Sequence, residues 1–199
     1  MSTIVPSNFY KTIGQKNYKH HVLEGILPDF IKLKHEVTFI GDAICNNNNA
    51  KHIEILICNY FQTQDYNTYL ELNNYIAGCN VINFYDFCKK NYLGNGAIYP
   101  HHKIVTDTNK VEADLIYGNC LIDIKSYKTF GNSNIISCFI QLLLYKSFIN
   151  DIAIDYIGMY IPTKNKFIYI CLADIPIKLI TNLKKMYMDA TSGKHNNND

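Results

Sequence analysis

No Cys-x-x-Cys pair occurs in this 199-residue chain, although it carries seven cysteines. The count is odd, and Cys45, Cys58, Cys79, Cys88, Cys120, Cys138 and Cys171 are scattered. That spacing argues against a zinc ribbon, an iron–sulfur cluster and a disulfide framework, and leaves free buried thiols in a reducing compartment. No apolar run is long enough to span a bilayer, and the opening MSTIVPSNFYKTIG lacks the apolar stretch of a secretory signal. A soluble intracellular protein of the cytoplasm or nucleus, with no membrane partner, is expected. The phosphate-loop pattern G-x-x-x-x-G-K-[ST] is missing, so neither an ATP requirement nor a helicase motor is expected. Charge is scarce as well: 18% of residues are charged and the formal net charge is +2. Binding to nucleic acid by charge alone would call for a far more basic chain, while a locally acidic, metal-binding centre would not. No internal repeat is present.

What the chain does have is apolar mass. Hydrophobic residues make up 48% of it, enough for a real core, and its length suits one domain over 1–191 with a polar, disordered tail at 192–199. Residues 1–15 read as extended. Helical spacing begins near Tyr18 and runs to Leu33, interrupted by Pro28. After the polar loop Asn46–Asn49, residues 52–64, 66–77 and 81–92 read as short helices, with Gly78 as a stop and Gly94-Asn95-Gly96 as a loop. Beyond Pro100 the pattern turns to strands at 103–106, 111–117 and 120–126, separated by the turn signals Asp107-Thr108-Asn109 and Gly118-Asn119. A buried helix over 134–149, strands at 154–161 and 166–171, and an amphipathic helix opened by Pro176 complete the order. The expected architecture is α/β, with a mixed sheet flanked by helices.

Three groups of residues stand out for their chemistry. On strand 120–126, alternation puts Asp123 and Lys125 on one face and Ile122 and Ile124 on the other. Asp114 lies on the preceding strand, across the Gly118-Asn119 turn, so a hairpin can set it beside Asp123. Two carboxylates so close repel unless a cation or proton lies between them, and hard oxygen donors suit Mg²⁺ or Mn²⁺. A lysine two residues on can polarise water or steady phosphate charge, the chemistry of phosphodiester hydrolysis. The same residues also read as a charged strand face with one salt bridge. Gln141 and Tyr145, four apart, are the polar interruption of an apolar helix. They read either as site residues or as polar groups with local partners. His20 and Glu24 share a helix face and read either as metal-site residues or as a solvated surface.

Taken together, these pieces resemble the PD-(D/E)XK nuclease superfamily, in the RecB/AddB-like exonuclease branch. HHVLE (His20 to Glu24) resembles that branch's opening motif, EADLIYGNCLIDIK (Glu112 to Lys125) its metal-binding strands, and QLLLY (Gln141 to Tyr145) its Gln-x-x-x-Tyr motif. The resemblance covers most of 100–172 and a patch near 20. It implies a restriction-endonuclease-like core, with a helical insertion over about 45–93 before the sheet. It implies a metal-dependent deoxyribonuclease, an exonuclease more than an endonuclease, in DNA replication, recombination or repair. It also implies Mg²⁺ or Mn²⁺ bound by His20, Asp114, Asp123 and the Ile124 carbonyl, with Lys125 catalytic, Glu24 a weaker carry-over, and Gln141 and Tyr145 at the substrate. Glu112 shares the face of Asp114 and is a possible extra ligand by alternation. DNA is the implied substrate, with a helicase or replication protein as a partner in trans. Where the family carries a glycine four residues ahead of the histidine, this chain has Lys16, with Gly14 nearby. The cluster-binding cysteines of some relatives are missing. The alternative is a non-catalytic nucleic-acid-binding or partner-binding module that keeps the nuclease fold.

Overall fold

The structure, a computed structural model, describes residues 32–92, 97–105, 110–126 and 132–192. His20, Glu24, Lys16 and most of the expected helix over 18–33 lie outside the described residues. So do the loop at Gly94–Gly96, the turn at 107–109 and the end of the tail, 193–199.

Among the described residues a six-stranded mixed sheet forms the centre. The short strands β1 (His35–Thr38), β2 (Ile44–Cys45) and β3 (Ile76–Ala77) come early, with α1 (Ala50–Thr63) and α2 (Tyr66–Tyr75) between the last two. Helix α3 (Val81–Tyr92) follows. The chain then builds β4 (Ile98–Val105), β5 (Lys110–Tyr117), β6 (Cys120–Ile124), α4 (Asn132–Lys146), β7 (Tyr156–Ile161), β8 (Lys166–Cys171) and α5 (Ile177–Ser192). The sheet order is β1-β8-β7-β6-β5-β4. β4, β5 and β6 make the expected antiparallel meander, and β7 and β8 pair antiparallel. β6 and β7 are parallel, which demands a crossover that α4 supplies.

Helices cover both faces. Alternation along β6 sends Cys120, Ile122 and Ile124 toward α1 and α3, where they join Ile53, Ile57, Phe61, Phe84 and Cys88 in one core. Leu121, on the opposite face, joins Phe139, Leu142, Leu143, Met159 and Ile168 in a second core under α4. Among the described residues, the segment 45–93, read from the sequence as an insertion before the sheet, supplies the helices that pack on this face. An aromatic stack anchors that layer: the Phe84 and Tyr160 rings lie 3.8 Å apart and nearly parallel, with Phe167 5.0 Å from Phe84. Burying such rings contributes about 2 kcal/mol each, so α3 is held by packing rather than by propensity. All seven cysteines are free thiols, and Cys58, Cys79, Cys88, Cys120 and Cys138 are buried. No helix among the described residues is long and apolar enough to cross a membrane.

Three features depart from the sequence reading. Residues 76–77, read as the end of a helix, instead pair antiparallel with Ile44–Cys45 as β3 and β2. β4 starts at Ile98, so Pro100 lies inside a strand rather than before it. An edge strand tolerates this because the missing N–H can face outward. β1 was not anticipated. It lies on the other edge with little of its surface buried, so no alternation marks it.

Asn165 ties the β7–β8 hairpin to the early loops. It is completely buried and left-handed, with φ 45°. Its Nδ2 donates to the carbonyls of Gly41 (3.0 Å) and Gly78 (2.9 Å), and its Oδ1 accepts from the Asn80 N–H at 2.8 Å. Its own carbonyl accepts from the Phe39 N–H at 2.8 Å.

Candidate functional site

The tight turn at Gly118-Asn119, with Gly118 at φ 57°, folds β6 back along β5. The ladder between them runs from Tyr117↔Cys120 to Leu115↔Ile122 and stops there. Beyond that pair Asp114 takes over the role of the missing ladder bond: its Oδ2 accepts from the Ile124 N–H at 2.7 Å. The neighbouring strand stays engaged, since the Lys125 N–H donates to the Tyr160 carbonyl at 2.9 Å. The end of the hairpin thus opens over two carboxylates, Asp114 at 2% and Asp123 at 3% exposure.

Their electrostatics follow from burial. Asp114 is pushed well above the usual carboxylate range, first by desolvation and then by the charge of Asp123, against a pull from Lys125. Lys125 Nζ donates to Asp123 Oδ1 at 2.8 Å. Burial works against the Lys125 ammonium, but Asp123 and then Asp114 outweigh it and hold its pKa above the ordinary lysine value. Lys125 is therefore cationic at neutral pH. Cys138, on α4, donates its thiol to Asp123 Oδ2 at 3.0 Å. Cys58, on α1, donates to the Asp114 carbonyl at 3.3 Å.

The Gln-x-x-x-Tyr pair faces the same place. Gln141 and Tyr145 line an open pocket of about 200 Å³, solvent space included, together with Glu112, Ala113, Asp123 and Leu142. The Tyr145 hydroxyl donates to the His102 carbonyl at 2.9 Å and meets His102 Nδ1 at 2.6 Å, fixing the edge strand β4 to α4. Asp114, Asp123, Lys125, Gln141 and Tyr145 are thus gathered at one end of the sheet. Ile124 contributes the backbone N–H just described.

Sequence reasoning missed Glu54, His101 and Cys138. Glu54 is 6% exposed on α1, receives Lys51 Nζ at 2.5 Å, and adds to the charge that raises Asp114. Its signal was available: Ile57, Cys58 and Phe61, at its i+3, i+4 and i+7 positions, are all apolar, so the carboxylate lies in the buried stripe. His101 adopts φ 49° in the middle of β4, between the pairs Pro100↔Leu115 and His102↔Ala113. Its Nδ1 lies 3.3 Å from Glu54 Oε1 and 3.5 Å from Glu112 Oε1. A non-glycine residue held there costs on the order of 1 kcal/mol, so the surrounding packing imposes it. Cys138 was readable too, one turn ahead of Gln141 on the same helix face.

The donor set suits a hard divalent cation. Asp114 and Asp123 bring two carboxylates against a single ammonium, and a cation would relieve the repulsion that raises Asp114. Among the described residues no three His, Cys, Asp or Glu side chains form a metal cage. Two carboxylates are compatible with Mg²⁺, commonly held by one or two carboxylates with water and phosphate. Comparison with family models, with curated proteins and with solved structures finds no match for this chain.

Proposed function

We propose that this chain is a metal-dependent deoxyribonuclease of the PD-(D/E)XK type, hydrolysing phosphodiester bonds from DNA ends with Mg²⁺ or Mn²⁺. The observation that carries the reading is convergence. Residues spread over 114–145 meet at the opened end of one hairpin, in the arrangement expected of the motif residues Asp, Asp-x-Lys and Gln-x-x-x-Tyr. The meander, the parallel β6–β7 pair and its helical crossover support a restriction-endonuclease-like core.

In this reading Asp114 and Asp123 hold the cation, whose chemistry is Lewis-acid charge at the phosphate and a more acidic bound water. Lys125, kept protonated by its carboxylate neighbours, stabilises negative charge on the phosphate oxygens rather than accepting a proton. Tyr145 holds β4 and α4 together beside the pocket, and Gln141 reaches the substrate backbone. The chain contains no arginine, so phosphate contacts fall to lysines. Lys51 and Lys103 stand at Glu54 and Glu112 around the carboxylates. Strand separation, where the substrate is duplex, comes from a helicase or replication protein in trans. Replication, recombination or repair is the setting.

One observation favours the second reading, a binding module that retains the fold. The oxygens of Asp123 are already engaged by Lys125 and Cys138, and both aspartates are nearly inaccessible. Cleavage of end-labelled linear and covalently closed circular DNA, with Mg²⁺, Mn²⁺ or EDTA, separates the two. Metal-dependent loss of linear DNA alone, abolished in folded Lys125→Ala, is the expected result. Cutting of circles would make the enzyme an endonuclease. Folded wild-type protein that binds DNA without cutting under any condition would replace the nuclease reading with the binding module.

A further inference from the structure

We infer that Cys138 is a positioning residue for Asp123, orienting its carboxylate for a divalent cation; this rests on the nuclease reading of the same site. The side chain is 2% exposed and lies on α4, on the face that carries Gln141, Leu142 and Tyr145. Its Sγ is 3.0 Å from Asp123 Oδ2, while Lys125 Nζ takes Oδ1 at 2.8 Å. The carboxylate is therefore held at both oxygens by donors from two different elements.

These two donors are not equivalent. Lys125 lies two residues from Asp123 at the end of β6, on a long stem with 21% of its side chain exposed. An ammonium that turns toward a phosphate leaves Oδ1. The thiol comes from a helix locked into the core by Phe139, Leu142 and Leu143 and has no such freedom. When Lys125 engages substrate, Cys138 remains to fix the plane of the Asp123 carboxylate. A thiol is a weak donor, so it orients the carboxylate without competing strongly for its charge. Partners of this outer kind are worth about 10- to 100-fold in metal affinity.

The test uses Mn²⁺ alone, without DNA, following free Mn²⁺ by paramagnetic resonance. Circular dichroism and thermal melts confirm that each variant is folded. Wild type is compared with Cys138→Ser, which keeps an O–H donor, with Cys138→Ala and Cys138→Val, which have none, and with Asp123→Asn. The expected result is Mn²⁺ affinity about tenfold weaker in Cys138→Ala and Cys138→Val, with Cys138→Ser within about threefold of wild type. If Cys138→Ala fails to fold, Cys138→Val, which leaves no cavity in place of the thiol, carries the comparison. Wild-type affinity in either folded donor-free variant overturns the inference. So does an equal loss in Cys138→Ser, which would make the effect one of packing. Asp123→Asn separates the two levels. Binding lost there but kept in Cys138→Ala removes the role of Cys138 and leaves the metal site standing. Wild type without Mn²⁺ binding, or Asp123→Asn binding as well as wild type, overturns both.

Discussion

Asp114→Asn should make the metal-free protein more stable while removing its response to metal. Asp114 is 2% exposed, and desolvation followed by the Asp123 charge raises its pKa. The site holds two carboxylates against one ammonium, and the variant leaves a balanced Asp123–Lys125 pair at 2.8 Å. Withdrawing a poorly compensated buried charge recovers about 1–3 kcal/mol. Against this, the Ile124 N–H, now 2.7 Å from a carboxylate oxygen, would donate to a neutral amide oxygen, a loss of about 1 kcal/mol. The net expectation is a gain of about 1 kcal/mol, or about 2–4 °C in Tm for a domain of this size.

The pH dependence follows from the same shift. An acid whose folded pKa lies above its unfolded value contributes nothing below the unfolded pKa, destabilises the fold progressively as pH rises from there to the folded pKa, and costs no more above it. The advantage of Asp114→Asn should therefore be absent below about pH 4, the ordinary aspartate range. It should grow as pH rises through the raised Asp114 value and then level off. Thermal melts in EDTA from pH 3.5 to 8 measure it. Adding Mn²⁺ should reverse the order, since only wild type gains stability by binding, about 2.7 kcal/mol at a hundredfold excess over Kd. A variant that melts below wild type at pH 8 in EDTA, or an advantage that persists unchanged into acid, would refute the argument that Asp114 is a charge buried at a cost.

Two further predictions concern the scaffold that holds the site. Asn165→Ala removes three side-chain hydrogen bonds from a fully buried left-handed position, at about 1 kcal/mol each. Asn165→Gly, which tolerates φ 45°, should recover only the backbone part of the loss. Urea midpoints should rank wild type above Gly above Ala, and a Gly variant equal to wild type would show that those bonds contribute nothing. Gly158→Ala should cost about 1–3 kcal/mol by overpacking. Its new Cβ would lie 2.5 Å from Phe167 Cε2, a ring wedged against Phe84 and Tyr169. Near-UV circular dichroism and urea melts check this, and an unchanged midpoint would mean that the stack yields more easily than its packing implies.

The hairpin β5–β6, the helix α4 and the strands β7 and β8 were readable because each is marked locally. Gly118-Asn119 signals the turn, apolar residues on most sides mark a helix buried against the sheet, and a polar Lys164-Asn165 break separates two apolar runs. β1 was not readable, because a four-residue strand paired, among the described residues, only to β8 needs no buried face. The left-handed turn at His101 escaped for a different reason. Nothing in Pro100-His101-His102 signals it, and its carboxylate neighbours Glu54 and Glu112 come from two other elements.

The same division runs through the site. Asp114, Asp123 and Lys125 lie within a dozen residues and are joined by one turn, so alternation alone could bring them together. Glu54 acts on Asp114 through its charge and Cys138 bonds Asp123, from helices on opposite faces of the sheet, and helix-to-sheet docking is not written in any local window. Yet both left a trace of the same kind, a polar or reactive side chain on a helix face that otherwise has to be apolar. Burying Glu54 in line with Ile57, Cys58 and Phe61 is unfavourable unless a cation is close by, and Lys51, one turn earlier on the same helix, lies 2.5 Å away. The buried stripe of α1 therefore carried information about the sheet it packs on. A carboxylate there implies polar partners within reach, and Lys51 one turn back on the same helix and the His101 ring of β4 stand beside it.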